Sequence, residues 1–185
     1  MKVTPLALPE VLLVEPDRFG DARGYFLEIW RQERYRAVGI ALDFVQDNLS
    51  RSARGILRGL HLQQPNPQGK LVYVLEGSVF DVAVDVRWGS PRFGRWTSAE
   101  LSAADHRQLW IPPGFAHGFC VTSEAALFAY KCTAAYSATD ELGVSWSDPA
   151  LGIPWPVTTP QLSTKDAALP RLADIDPQRL PRYPG

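Results

Sequence analysis

Breaks come so often along this chain that long helices have nowhere to form: 16 prolines and 14 glycines are spread over 185 residues. Proline lacks a backbone donor and fixes φ, while glycine frees the backbone to turn. That density suits short strands joined by turns and argues against a helical bundle. The pattern between the breaks agrees. From Val79 to Val86, the apolar Phe80, Val82, Val84 and Val86 alternate with Asp81, Ala83 and Asp85, a period of two that puts an apolar row on one face and carboxylates on the other. Leu71–Leu75 precedes this run across Glu76-Gly77-Ser78, which predicts a hairpin. Arg58–Gln63, Leu109–Ile111, Gly118–Thr122 and Ala126–Thr133 read as further strands. One short helix is expected over Gln32–Val38, stopped by Gly39, and Pro170–Gly185 reads as an extended surface tail. The expected fold is all-β, a sandwich or jelly roll closed well enough to hold a ligand, in a single domain over residues 1–185.

Charge removes two large classes of partner. The formal net charge is −1, from 19 Lys and Arg against 20 Asp and Glu, with no block of one sign. A general nucleic-acid or anionic-membrane binder would carry a basic excess, so neither partner is expected. Cys120 and Cys132 form no CxxC pair and are too few for a disulfide scaffold. With no signal peptide and no apolar run near 18 residues, the expectation is a cytoplasmic protein with reduced thiols.

The residues able to carry chemistry are few. There are three histidines, His61, His106 and His117. His106 reads as part of a surface turn. The spacing Pro112-x-Gly114-x-x-His117 resembles the second half of the cupin signature, whose metal-binding members add two His and a Glu from the first half. Here His61 stands first, but Gln63 occupies the second His position and Lys70 the position of the Glu. An ammonium at a ligand position brings like charge and no lone pair, so no metal is expected. Without a metal, the same wall offers a base, a cation and a second imidazole. A lone histidine in an apolar strand is more often a satisfied core group, and a lysine at a strand start is ordinarily solvated. Tyr130 has the parity of Ala126, Phe128 and Cys132, which puts it on an apolar face. Asp166, in Ser163-Thr164-Lys165-Asp166, is either a cap or the partner of a histidine, whose tautomer it would fix. Arg23, Arg51, Arg54 and Arg58, with Gln46-Asp47-Asn48 among them, suit an anionic ligand, because guanidinium forks match phosphate oxygens.

Ten stretches in order, together spanning nearly the whole chain, resemble the dTDP-4-dehydrorhamnose 3,5-epimerases of the cupin superfamily. They are Phe19–Glu28, Phe44–Asn48, Leu57–His61, Gly69–Val72, Gly77–Asp85, Gln108–Pro112, Gly114–Phe119, Tyr130-Lys131, Trp146–Pro149 and Leu162–Asp166. The resemblance implies a cupin-type double-stranded β-helix with a few short helices, acting without a cofactor. It also implies a homodimer that binds a dTDP-4-keto-6-deoxy sugar and exchanges the N-terminal segment holding Arg23 and Glu28. By the same resemblance, His61 is the general base supported by Asp166, Tyr130 is the general acid, and Lys70 and His117 line the sugar site. Arg23, Phe26, Glu28, Gln46, Asn48, Arg58, Glu141 and Lys165 match substrate-binding positions, and Tyr136 matches an aromatic near the sugar.

The residue types suit that chemistry. A 4-keto sugar has acidic protons at C3 and C5, and removing either gives an enolate whose oxyanion a cation such as Lys70 stabilises. Inversion takes a proton from one face and returns one to the other, which a separate base and acid accomplish. An ordinary histidine, with pKa about 6.5, accepts a proton at neutral pH, while an ordinary tyrosine, with pKa about 10, keeps one to give. No GxGxxG or P-loop pattern supplies a redox or nucleotide cofactor site. Two alternatives of other kinds stay open, a 3-only or 5-only epimerase on a related sugar and a non-catalytic sugar-nucleotide-binding cupin. Gln63 and Lys70 argue against a metal-dependent oxygenase. The Ala134-Ala135 pair before Tyr136, where the family is often more polar, is the mild departure.

Overall fold

A computed structural model describes residues 1–184. The strands are β1 (Lys2–Pro5), β2 (Leu12–Glu15), β3 (Arg18–Asp21), β4 (Gly24–Leu27), β5 (Gln46–Ala53), β6 (Leu57–Gln63) and β7 (Lys70–Glu76). They continue with β8 (Ser78–Asp85), β9 (Trp96–Ser102), β10 (Gln108–Ile111), β11 (Phe115–Val121), β12 (Ala125–Cys132) and β13 (Glu141–Gly143). Two short helices, α1 (Gln32–Arg36) and α2 (Thr164–Ala167), and two 3₁₀ turns at Leu172–Asp174 and Pro177–Arg179 complete the described elements. A six-stranded sheet in the order β1-β2-β10-β7-β12-β5 faces a five-stranded sheet in the order β13-β6-β11-β8-β9. Every strand pairing in both is antiparallel. This is a jelly roll resembling the double-stranded β-helix, as the break density predicts.

Three apolar clusters hold it together. The first fills the space between the sheets with Val72, Val74, Val79, Leu109, Phe119 and Phe128. The second lies on the outer face of the smaller sheet, where Val82, Val84 and Val86 meet Leu172, Ile175 and Leu180. The third sits under α1, where Tyr35 and Ile40 cover Leu71 and Trp110. Burial of this kind contributes about 25 cal/mol per Å² of apolar surface.

Two expectations need correction. The predicted hairpin does not form: β7 pairs with β10 and β12, while β8 pairs with β9 and β11, so the chain crosses between sheets at Gly77. Both strands are buried on both faces, and a two-strand ribbon would leave one face of each in water. Gly77 holds φ at +77°, and a Cβ there would lie 2.0 Å from the Ala125 carbonyl oxygen, so the crossing needs glycine. The alternation of β8 holds as read, with the apolar row on one face and carboxylates on the other. Its apolar residues face outward beneath the C-terminal segment, and Asp81 points in between the sheets with no exposure at all. The C-terminal stretch, expected as an extended surface tail, buries Leu172, Ile175 and Leu180 against that row, and bridges Trp88 to Arg182.

The helix runs over Gln32–Arg36, two residues short of expectation, with Gly39 at φ +93° closing it. Strand β11 starts at Phe115, three residues before its predicted start, so His117 lies within it. Among the described residues no helix is long and apolar enough to cross a membrane, and both cysteines are free.

Candidate active site

The site occupies the space between the sheets near one end, as two adjoining cavities of about 250 and 160 Å³. His61, Lys70 and Tyr130 line both. Gln46, Asn48, Gln68, Tyr136 and Glu141 surround the outer compartment; Ser50, Arg58, His117, Phe119 and Phe128 surround the inner one.

His61 stands on β6 of the smaller sheet and Tyr130 on β12 of the larger, so they face the cavity from opposite walls. Gly59 sets the approach on the first wall: its φ is +121°, and a Cβ there would come within 2.6 Å of the Gly118 Cα. That close backbone contact lets β6 and β11 run side by side and sets His61 directly opposite His117.

His61 Nε2 lies 2.5 Å from Asp166 Oδ1. Asp166 is carried by α2, whose N-terminus is capped by the Ser163 hydroxyl accepting from the Asp166 N–H. Of the two readings of Asp166, the histidine partner holds and the cap does not: the cap is Ser163. Burial pushes the Asp166 carboxyl up, but the hydrogen bond and charge of His61, with the Gly59 backbone, hold it below the usual carboxylate range. An ionised Asp166 accepting from one ring nitrogen leaves the other able to take a proton.

Tyr130 packs against the core cluster beside Phe128 with its hydroxyl end in the cavity. Burial, with the Cys132 thiol, raises its pKa against a smaller opposing effect of Arg58, so the phenol stays protonated. Lys70 is not the solvated strand end its position suggests but is buried in the cavity wall. Burial pulls its pKa down, and Cys132, Asp81 and Glu141 oppose that through space.

Tyr136 donates to Glu141 at 2.7 Å, and Lys165 pairs with the same carboxylate, closing the outer rim. Gln46 accepts from the Tyr136 N–H at 2.8 Å and donates to Asn48 at 2.9 Å. Arg58 donates to Ser52 at 3.0 Å from the inner compartment. Gln63, the residue at a metal-ligand position, spends its amide on Asn66, Ala135 and Ser137 backbone groups and so latches the Tyr136 loop. Among the described residues no group of three or more His, Cys, Asp and Glu is arranged to hold a metal ion.

Arg23, Phe26 and Glu28 are not brought to this cavity. Arg23 and Phe26 ride on the β3–β4 hairpin, 90% and 69% exposed, and Arg23 pairs with Asp21 at 2.5 Å. Glu28 pairs with Arg34 at 3.1 Å and Arg31 at 3.5 Å. Sequence reading missed Asp81, Ser50 and Gln68 as site residues. Asp81 carried a signal, a carboxylate beside Ala83 on one face of a strand whose other face is aliphatic.

The family model for dTDP-4-dehydrorhamnose 3,5-epimerase matches residues 5–174. A dTDP-4-dehydrorhamnose 3,5-epimerase of Shigella flexneri is 52% identical over 178 residues, 95% of this chain and 98% of that protein. The Legionella pneumophila dTDP-6-deoxy-D-glucose-3,5-epimerase, solved in complex with dTDP-4-keto-L-rhamnose, superposes with a TM-score of 0.97 at 50% identity, covering 100% of this chain and 99% of that one. A 3'-monoepimerase from Streptomyces bikiniensis, solved in complex with dTDP-quinovose, also shares the fold, with a TM-score of 0.89 at 34% identity over 97% of this chain and 92% of that one. With the matching motifs running the length of the chain and the paired His61 and Asp166 facing Tyr130 across the cavity, the protein belongs to the dTDP-4-dehydrorhamnose 3,5-epimerase family.

Proposed function

We propose that this protein is an isomerase that inverts C3 and C5 of dTDP-4-dehydro-6-deoxy-D-glucose, giving dTDP-4-dehydro-L-rhamnose in dTDP-L-rhamnose biosynthesis. The observation that carries the reading is the placement of His61 and Tyr130 on opposite sheets across one cavity, which the buried Lys70 also lines from the sheet of Tyr130. His61, polarised by Asp166, takes the proton from the carbon next to the ketone. The electron pair moves onto the keto oxygen, and Lys70 meets the oxyanion. Tyr130 then delivers a proton to the other face of the same carbon, which inverts it. His61 releases its proton to solvent and Tyr130 regains one, so each inversion brings a solvent hydrogen into the sugar. The ketone lies between C3 and C5, so one set of groups serves both centres when the sugar presents each in turn. Gln46, Asn48, Arg58, His117, Tyr136, Glu141 and Lys165 are the proposed substrate contacts within this chain.

The rest of the nucleotide site is proposed to come from a second copy. Phe19, Tyr25 and Phe26 are exposed on a hairpin that also presents Arg23, with Glu28 just beyond it. An aromatic, basic arm of this kind, lying apart from its own cavity, suits a homodimer in which each arm closes the partner's nucleotide site over base and diphosphate.

The test is proton NMR of dTDP-4-dehydro-6-deoxy-D-glucose with the protein in deuterated water. Deuterium at both C3 and C5, with an L-rhamnose nucleotide after coupled reduction, supports the reading. Deuterium at one carbon makes the protein a mono-epimerase, a class that shares this fold. Binding without exchange makes it a sugar-nucleotide-binding protein.

A further inference from the structure

Beneath the sugar cavity lies a second carboxylate–imidazole pair, separate from His61 and Asp166. Asp81, on β8, has no solvent exposure, and both its oxygens lie 3.0 Å from His117 Nε2 on β11. His117 stacks on Phe128, which stacks on Phe119, so the ring is held by packing as well as by the carboxylate. His117 nevertheless lines the inner cavity with Lys70 and Tyr130. Burying a carboxylate is costly unless it is paired and hydrogen-bonded, so one placed wholly between two sheets for a single imidazole calls for a reason.

The charges nearby supply it. Burial holds the Asp81 carboxyl above the usual carboxylate range, and the charge and hydrogen bond of His117, with the charge of Lys70, oppose that in part. Burial pushes His117 down, and the neighbouring Lys70 adds to that against the pull of Asp81. With an ionised Asp81, a neutral His117 and a protonated Lys70 the buried cluster carries no net charge, and the carboxylate has an N–H partner and a nearby cation. A carboxylate only accepts, so Nε2 bears the ring's hydrogen and Nδ1 is a lone pair. Such a ring cannot donate to a keto oxygen. It can accept from a hydroxyl.

We propose that Asp81 is a positioning residue of the sugar site: it fixes His117 in the tautomer whose Nδ1 accepts a hydrogen bond from a hydroxyl of the bound sugar, and its buried charge holds Lys70 in the ammonium form that meets the oxyanion. His117 then reads the sugar's hydroxyl pattern while Lys70 handles the developing charge. The proposal rests on the epimerase reading for its substrate, but its tautomer claim stands on the free protein. The titratable and charged groups facing Lys70 are Asp81 on β8, His61 and Arg58 on β6, His117 on β11, Tyr130 and Cys132 on β12, and Glu141 on β13. Of the acidic groups among them, Asp81 is the one with no exposure.

Two measurements test it. Long-range ¹H–¹⁵N spectra of the free, ¹⁵N-histidine-labelled protein resolve three rings, assigned with His106→Asn and His61→Asn. His117 is expected neutral with hydrogen on Nε2 from pH 6 to 8; hydrogen on Nδ1, or an imidazolium at pH 7, overturns the proposal without any assay of turnover. The second is kinetic. Asp81→Asn should lower kcat/KM for the 4-keto sugar nucleotide about 100-fold or more, as wrong-tautomer variants do, while dTDP affinity changes less than about twofold. Losing the negative charge makes Lys70 shed its proton more readily, so the basic limb of the kcat profile should move to lower pH. In a Tyr130→Phe background, the same displacement of the deuterium-exchange profile assigns it to Lys70. A basic limb that stays in place, or a loss of dTDP binding in step with kcat/KM, overturns the proposal. Failure of the wild-type protein to turn over the sugar would overturn the epimerase reading instead, leaving the NMR result to decide the tautomer.

Discussion

At the scale of single residues, His61 and Asp166 form one hydrogen-bonded unit, proposed to act as the base. Asp166→Asn keeps the shape but allows the amide to donate, which reverses the imidazole tautomer, so kcat should fall about 10²- to 10⁴-fold in the D₂O exchange assay with the fold unchanged. His61→Ala should abolish exchange while calorimetry still finds dTDP bound close to wild-type affinity, because the proposed nucleotide contacts lie elsewhere. His61, Lys70, Tyr130 and Asp166 were legible in the sequence because the chain has so few histidines and lysines, and because motif order placed them together. Asp81 was not. Its alternation with valines sets it on a carboxylate face without saying which way that face points, and only the burial of both faces of β8 shows that Asp81 points inward. The depth of Lys70 was hidden for the same reason: a strand start is ordinarily wet, and this one is roofed by the opposite sheet.

At the scale of elements, strand identity was readable and strand pairing was not. A period of two located β8, and apolar runs bounded by turn signals located β7, β10 and β12, within a residue or two. Yet the short turn at Gly77 suggested a hairpin where the chain changes sheets, because local pattern cannot distinguish a ribbon from a crossing. The C-terminal segment was misjudged because its prolines hide the spacing of Leu172, Ile175 and Leu180. Leu180→Ala should cost about 3 kcal/mol in denaturant unfolding, a core penalty rather than a surface one. The segment is also anchored by charge: Arg87 stacks between the Phe115 and Tyr183 rings and forks onto Asp85 at 2.7 and 2.9 Å. Burial pushes Asp85 up, but Arg87 and Ser90 hold it below the usual carboxylate range. Its stabilisation is therefore complete above the unfolded pKa of about 3.9 and fades as pH falls through the lower folded value. Asp85→Asn should cost about 3 kcal/mol at pH 7 by leaving part of a buried guanidinium unpaired. The same variant should show a flatter decline of stability below pH 4 than the wild type.

At the scale of the whole molecule, the arm and the cavity make separate predictions. If each arm closes its partner's nucleotide site, mixing inactive His61→Ala with weakened Phe26→Ala under conditions that exchange subunits should restore about a quarter of wild-type activity, since half the sites in each heterodimer are intact. No recovery, with exchange shown by mass-tagged subunits, would place arm and base in one chain's site. Overall class was legible from the density of breaks, and the cavity from the signature around His117; the arm's destination was not, because contact between copies leaves no periodicity in one chain. The central claim is that a base on one sheet and an acid on the other invert the sugar between them. Following wild type and Tyr130→Phe side by side in deuterated water, with exchange and inversion both read by proton NMR, tests it most directly. Wild type should couple deuterium uptake at C3 and C5 to inversion. Tyr130→Phe should still exchange protons through His61 while inverting at least about 100-fold more slowly. Full inversion in Tyr130→Phe would contradict the account.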